Sequence, residues 1–200
     1  MRLFITRPSP YARKAWTALL HLGLDDRIEV EVLPARLPTV AKPDLEPVNP
    51  LGKVPALVLD DGGFIVDSPV IVAWMDFHGG GGLIPTGEGR WRVLTLEALA
   101  DGCIDAGVVL RLEGLKEASR QDPEDLAAHA AKIERTLDLI EGDPRWLEGP
   151  LNAGQLALVC ALDWLIFREL VAHPLASRPR LGAFFHAANQ LPALAATRPA

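Results

Sequence analysis

Apolar positions recur along this chain with two periods, and the change from one to the other falls near residue 80. In the first part the apolar runs are short. Leu3-Phe4-Ile5 reads as a strand, Tyr11 to Leu22 spaces its apolar residues as an amphipathic helix does, and Ile28 to Leu33 alternates apolar with acidic side chains. Together these predict a β-α-β unit. Ala56-Leu57-Val58-Leu59 and Phe64-Ile65-Val66 flank Asp60-Asp61-Gly62-Gly63, and turn formers between two β-rich runs predict a hairpin. A second helix follows, from Ser68 or Pro69 to about Phe77. The order describes a mixed four-stranded sheet with helices packed on it.

Gly79-Gly80-Gly81-Gly82 comes next, and four consecutive glycines cannot continue a helix cheaply, so the best domain boundary lies here. From Arg90 onward only helical periodicity is visible: Trp91 to Lys116, Pro123 to Glu141, Leu156 to Val171 and Leu181 to Leu191. Loops are expected at Gly142-Asp143-Pro144, Gly149-Pro150 and His173-Pro174. Leu156, Val159, Cys160, Trp164 and Phe167 recur at spacings of three and four, which marks a core face of a largely buried helix. Asn152 and Gln155 are spaced as a capping box, each side chain satisfying backbone at the helix start. The domains predicted are therefore residues 1–78, a connector 79–89, and an all-helical part 90–200.

Composition narrows the function classes. Net charge is −6, with 8 basic and 10 acidic groups in residues 1–78 and 12 and 16 in the rest, so no basic footprint for nucleic acid is present. The longest uncharged apolar-rich stretch, Gly149 to Leu162, is too short to span a bilayer and is interrupted by Asn152 and Gln155. With no charged leader ahead of an apolar run, a soluble cytoplasmic protein without a membrane partner is expected. Cys103 and Cys160 sit in helical apolar patterns, which suits buried free thiols, and the five histidines lack ligand spacing, so no metal is expected. No Gly-x-Gly-x-x-Gly follows a strand and no Walker-type loop occurs, so a nucleotide cofactor is not expected either.

Three short segments carry candidate chemistry. Ser9-Pro10-Tyr11-Ala12-Arg13-Lys14 follows the first strand and opens a helix, with Ser as a preferred N-cap and Pro at the first helical position. Read alone, Ser9 is a cap; the same turn also presents unpaired N–H groups and the positive end of the helix dipole, which suit an anion such as a thiolate. Asp67-Ser68-Pro69 repeats that arrangement at the second helix. Between them lies Val54-Pro55. A cis bond there would turn the backbone of Val54 outward for pairing with a peptide, although only about 5% of X-Pro bonds are cis and the local sequence does not select one.

The order and spacing of SPYARKA, NPLGKVPAL, DSPVI and a tail reading RLGAFFHAANQLPALAATRP resemble the glutathione transferase family over nearly the whole chain. EALADGCIDAG, from Glu97 to Gly107, is similar to a bacterial, serine-type branch. The resemblance implies an α+β, thioredoxin-like N-terminal domain followed by an all-α C-terminal helical bundle, and a cis bond at Val54-Pro55. It implies glutathione as co-substrate, with Ser9 as the catalytic hydroxyl donating to the sulfur and Val54 with Pro55 forming the corner that pairs the cysteinyl backbone. Asp67 and Ser68 would hold the γ-glutamyl end, and Lys53 would reach the glycyl carboxylate. A second, electrophilic and apolar substrate would sit near Tyr11, the helix carrying Cys103, and Arg111. A homodimer is expected on the same ground.

Three departures from the family pattern matter. Position 67 is Asp where many members have Glu, which shortens the reach by a methylene and keeps the charge. Asn152 and Gln155 stand where Ser or Thr and Asp are usual in the helical part's capping box. Ser9 stands where redox members carry Cys, so a mixed disulfide has no sulfur at that position. The function expected is conjugation of glutathione to a small electrophile; the alternatives are a glutathione-binding protein with little catalysis, or a glutathione-dependent isomerase or reductase.

Overall fold

The computed structural model describes residues 1–36 and 43–199. The sheet half contains β1 (Arg2–Ile5), α1 (Pro10–His21), β2 (Glu29–Val32), β3 (Ala56–Val58), β4 (Phe64–Ile65) and α2 (Ser68–His78). The helical half contains α3 (Gly89–Gly114), α4 (Pro123–Gly142), α5 (Ala153–Phe167), α6 (Pro179–Ala188) and α7 (Pro192–Ala196). The strand order is β2-β1-β3-β4, with β1 and β2 parallel and the other two pairings antiparallel. A parallel pair needs a crossover, and α1 is that crossover, so it lies on one face of the sheet. The two-residue period of β1 then divides its side chains. Leu3 and Ile5 enter the main core beneath α1, whereas Phe4 packs on the opposite face with Leu45 and Ala56.

Between α2 and α3, Gly80, Gly81 and Gly82 have φ of 95°, 80° and 119°, a conformation that only glycine adopts readily. Asp76, buried on α2, fixes the chain just beyond them: its carboxylate accepts from Leu83 N at 2.7 Å and Ile84 N at 3.2 Å. The hydrophobic core does not break at this connector. It runs from Leu3, Ile71 and Met75 through Ile104 and Leu158 to Leu194.

Helix α1 joins the halves. Its Ala12, Ala15 and Ala18 are fully buried, but so is the charged side chain of Lys14, and Arg13 is 4% exposed. Lys14 Nζ donates to both oxygens of Asp101, at 2.9 and 2.6 Å, and lies 3.1 Å from Glu97 Oε1. Arg13 Nη1 is 2.7 Å from Asp163 Oδ2, and Nη2 donates to the carbonyl of Leu194 at 3.2 Å. One turn further, the hydroxyls of Thr17 and Thr197 lie 2.7 Å apart. Burying ions in this way is tolerable only because each has a counter-charge or carbonyl within reach.

In the helical half, α5 is enclosed on nearly every side. It packs most closely on α3, and two glycines permit this: a Cβ on Gly154 would lie 2.5 Å from Val93 O, and one on Gly107 would lie 2.7 Å from the Trp164 ring. Leu156, Val159 and Cys160 are fully buried and Trp164 is 5% exposed, as a core face requires, but Phe167 is 40% exposed and is not core.

Some expected boundaries shift. The helix expected to reach Val171 ends at Phe167, with Glu169 at φ 54°; Leu170 and Val171 still pack against the core, so apolar spacing outlasted the helix. The helix expected from Leu181 to Leu191 runs from Pro179 to Ala188, and Pro192 opens a separate α7. Two 3₁₀ turns, Ala118–Arg120 and Pro144–Trp146, carry no apolar period that a sequence reading detects. The expected capping box at α5 is half formed. Asn152 Oδ1 accepts from Gln155 N at 3.0 Å, but Gln155 Nε2 reaches back to the carbonyl of Glu148 at 2.9 Å, holding the preceding loop.

Candidate active site

The chain leaves β1 through a tight turn in which Ser9 N donates to Thr6 O at 3.2 Å. Ser9 has the extended backbone of an N-cap (φ −85°, ψ 121°), and its Oγ accepts from Ala12 N at 3.2 Å. A hydroxyl offers one proton and two lone pairs. Capping uses a lone pair, so the O–H of Ser9 is left to donate, beside the Tyr11 N–H, since Pro10 has none and Ala12 N and Arg13 N donate to Ser9. Cap and anion site are therefore compatible roles of one residue.

The loop before β3 is organised by Asn49, which is 1% exposed. Its Nδ2 donates to Lys53 O at 2.7 Å and its Oδ1 accepts from Leu51 N at 3.0 Å. This places Lys53 in solvent, Val54 half-buried and Pro55 buried, with a cis Val54-Pro55 bond. At the second helix the assignment of the cap is corrected. Asp67, not Ser68, is the N-cap, and Ser68 is the first helical residue and 1% exposed. The Asp67 side chain makes no capping bond, so its exposed carboxylate faces outward, able to meet a cation.

These segments border one cleft of ≈610 Å³, within the ~300–1,000 Å³ of small-molecule sites. Ser9, Lys53, Val54, Pro55, Asp67 and Ser68 all line it. Tyr11 of α1 and Arg111 of α3 line it from the two halves. Tyr11 donates its hydroxyl to Asp105 on α3, and burial, reinforced by that bond and by the charge of Asp105, pushes its ionisation far above the ordinary phenol range. The phenol therefore stays protonated.

Cys103 is not brought to the cleft. It is 2% exposed and its thiol bonds Thr136 on α4; burial pushes it up to about 11, where it remains a neutral, unreactive thiol. The reason is helical geometry, since residues two apart on α3 point about 200° apart, and Asp105 on α3 faces α1. The cleft instead takes in Asp105, Trp164 and Arg168. Asp105 fell within the helix expected there, Trp164 was read only as core, and Arg168 lay inside a helix assigned four residues too many.

Residues 8–77 match the family model described as the glutathione S-transferase N-terminal domain. The chain is 33% identical over 186 residues, 90% of each sequence, to the uncharacterized GST-like protein YibF of Escherichia coli K12. The chain belongs to the glutathione S-transferase family. A family member from Pseudomonas fluorescens Pf-5 with bound glutathione is 35% identical, with a TM-score of 0.94 over 100% of this chain and 98% of that one. A second structure of a Pf-5 member, with bound S-(propanoic acid)-glutathione, is also 35% identical, with a TM-score of 0.88 over 100% of both chains. The glutathione S-transferase architecture expected from the motifs, a thioredoxin-like sheet domain followed by a helical region, is thus the fold of this chain. Among the described residues no helix is long and apolar enough to cross a membrane, and no three His, Cys, Asp or Glu side chains gather as a metal cage.

Proposed function

We propose that this protein is a glutathione transferase in which Ser9 holds the sulfur of glutathione as a thiolate for attack on a small electrophile. The observation that carries the reading is the capped first turn of α1, open on the cleft with the Ser9 hydroxyl proton unused. A free thiol ionises near ~8.5, and donors at a helix N-terminus lower that value. The Ser9 O–H, the Tyr11 N–H and the positive end of the α1 dipole stabilise the anion, whose proton leaves to solvent. Tyr11, protonated and bound to Asp105, does not act as the base. The sulfur lone pair then forms a bond to carbon, with expulsion of a leaving group or addition across a double bond.

The remaining roles follow the cleft. The backbone of Val54, beside Pro55, pairs with the cysteinyl unit, as an added strand does. The uncommitted carboxylate of Asp67 meets the γ-glutamyl ammonium, and Ser68 meets the carboxylate beside it. Lys53 reaches the glycyl carboxylate. Two structures of a relative that is 35% identical hold glutathione and its S-(propanoic acid) conjugate, which supports extending the ligand to this chain.

The direct test pairs calorimetric titration with glutathione and a conjugation assay on a reactive aryl halide. Micromolar to millimolar binding with turnover is expected; binding without turnover across a panel of electrophiles would leave a glutathione-binding protein.

We also propose a homodimer. Val70, Trp74 and Phe77 fall at i, i+4 and i+7 on the outer face of α2, where Val70 is 51% and Phe77 82% exposed, and Trp91 on α3 is 60% exposed. A second copy covering this stripe accounts for its exposure. Ultracentrifugation at micromolar concentration is expected to show a dimer that Phe77→Glu dissociates, and a monomeric parent protein would refute it. A reducing, cytoplasmic setting fits two free, buried cysteines.

A further inference from the structure

Among the described residues, two guanidinium groups that border the cleft from the helical half have no ion-pair partner. Arg111 lies in the last turn of α3, and Arg168 is the residue at which α5 stops. Both border the cleft, together with Val108, Leu112 and Trp164. Among the described residues neither makes an ion pair or hydrogen bond; Arg168 only stacks over the Phe167 ring at 4.7 Å, and its Nε is buried without an acceptor. Burial and the charge of Arg111 both lower the proton affinity of Arg168, so the two cations feel each other.

Among the described residues, the other charges of the cleft are paired, hydrogen-bonded or assigned elsewhere. Arg36 stands 3.6 Å from Asp44, and Asp105 accepts the Tyr11 hydroxyl. Lys53 and Asp67 border the part given above to glutathione. The neutral Tyr11 hydroxyl leaves the charge of Asp105 in place, so two guanidinium groups stand against one carboxylate here, a net positive charge in a protein whose net charge is −6. Two half-buried cations that repel each other beside apolar side chains are stabilised when an anion binds between them. A planar carboxylate matches the guanidinium fork best, through two parallel N–H donors.

We propose, building on the transferase reading, that the second substrate is a carboxylic acid: a small apolar electrophile whose body lies on Trp164, Val108 and Leu112 and whose carboxylate is held by Arg111 and Arg168. Held so, the acid projects its electrophilic carbon toward Ser9. The carboxylate takes no part in the bond changes. With a chlorodinitrobenzoate whose chlorine is para to the carboxylate, the C–S bond forms at the chlorinated carbon. The C–Cl bond breaks with its electron pair on chloride, and the thiol proton passes to solvent.

The test compares that chlorodinitrobenzoate with its methyl ester at saturating glutathione, each kcat/KM divided by the uncatalysed rate constant. The wild-type ratio of acid to ester is expected to exceed about tenfold, and Arg111→Gln and Arg168→Gln are each expected to lower it by about tenfold. Arg168→Lys should retain part of the preference, which a residue that only fills space would not. A wild-type ratio near unity, or one unchanged in the double Gln variant, overturns the proposal.

Failure of the transferase reading is read separately. If glutathione binds and neither compound reacts, calorimetry with S-(carboxyphenyl)glutathione and its methyl ester decides: a preference for the acid that the double variant loses supports the arginine site, and equal affinities overturn it. Absence of any binding by glutathione and both conjugates overturns both readings.

Discussion

Ser9→Ala is expected to lower kcat for conjugation by about a hundredfold at neutral pH, in the range seen when one preorganised donor to a developing anion is removed. Its effect on folding should be small. Losing the bond from Ala12 N to the Ser9 side chain costs about 1 kcal/mol, or about 2–4 °C in Tm for a chain of this size. The pH dependence separates the two roles. If the hydroxyl holds a thiolate, its loss lets the bound thiol return toward its free value near ~8.5, so the deficit is largest near neutral pH and narrows as the thiol ionises unaided. Steady-state kinetics from pH 6 to about 9 would read this directly. Unchanged turnover would transfer the role to Thr6, Tyr11 or the first-turn N–H groups.

Lys14→Met is expected to be the most destabilising of the simple substitutions, by about 3–5 kcal/mol, because it leaves the Glu97 and Asp101 carboxylates buried without their cation. Burial raises the Asp101 carboxyl above its ordinary value, and Lys14 pulls it back down. A carboxyl raised in the folded state contributes stability below its unfolded value and loses that contribution as pH rises through its folded one. Removing Lys14 moves the folded value higher still. The deficit of the variant is thus greatest at neutral pH and shrinks on acidification, as Asp101 takes up its proton above the ordinary carboxyl range. Urea midpoints at two pH values measure it, and equal midpoints for parent and variant at pH 7 would mean the cluster contributes nothing.

The sheet half was legible because its signals are local. Ser before Pro, a glycine-bearing turn between two β-rich runs, and a run of four glycines each act through the backbone of their own segment. The α1 cap and the hairpin accordingly stand where those residues predict. What escaped was whatever depends on another element. Nothing local to Arg13 and Lys14 marks them as buried, because their partners Asp163, Glu97 and Asp101 come from α5 and α3. Cys103 was placed with the cleft because its helix borders it, yet its position on α3 turns it toward α4. Arg168 was hidden because Leu170 and Val171 continue the apolar spacing of α5, and nothing local announces that the backbone turns away at Glu169. At the second helix the cap falls on Asp67 and Ser68 is the first helical residue, a one-residue offset that the Ser-Pro pair does not announce.

The buried charges of α1 bear on how such a protein can be recombined. The cations belong to one half and their counter-ions to the other, so a sheet half transplanted onto a foreign bundle would bring along two bare positive charges. Exchange between relatives succeeds only when the acidic positions travel too. The seam works as a compatibility lock, and it keeps inherited halves matched in pairs.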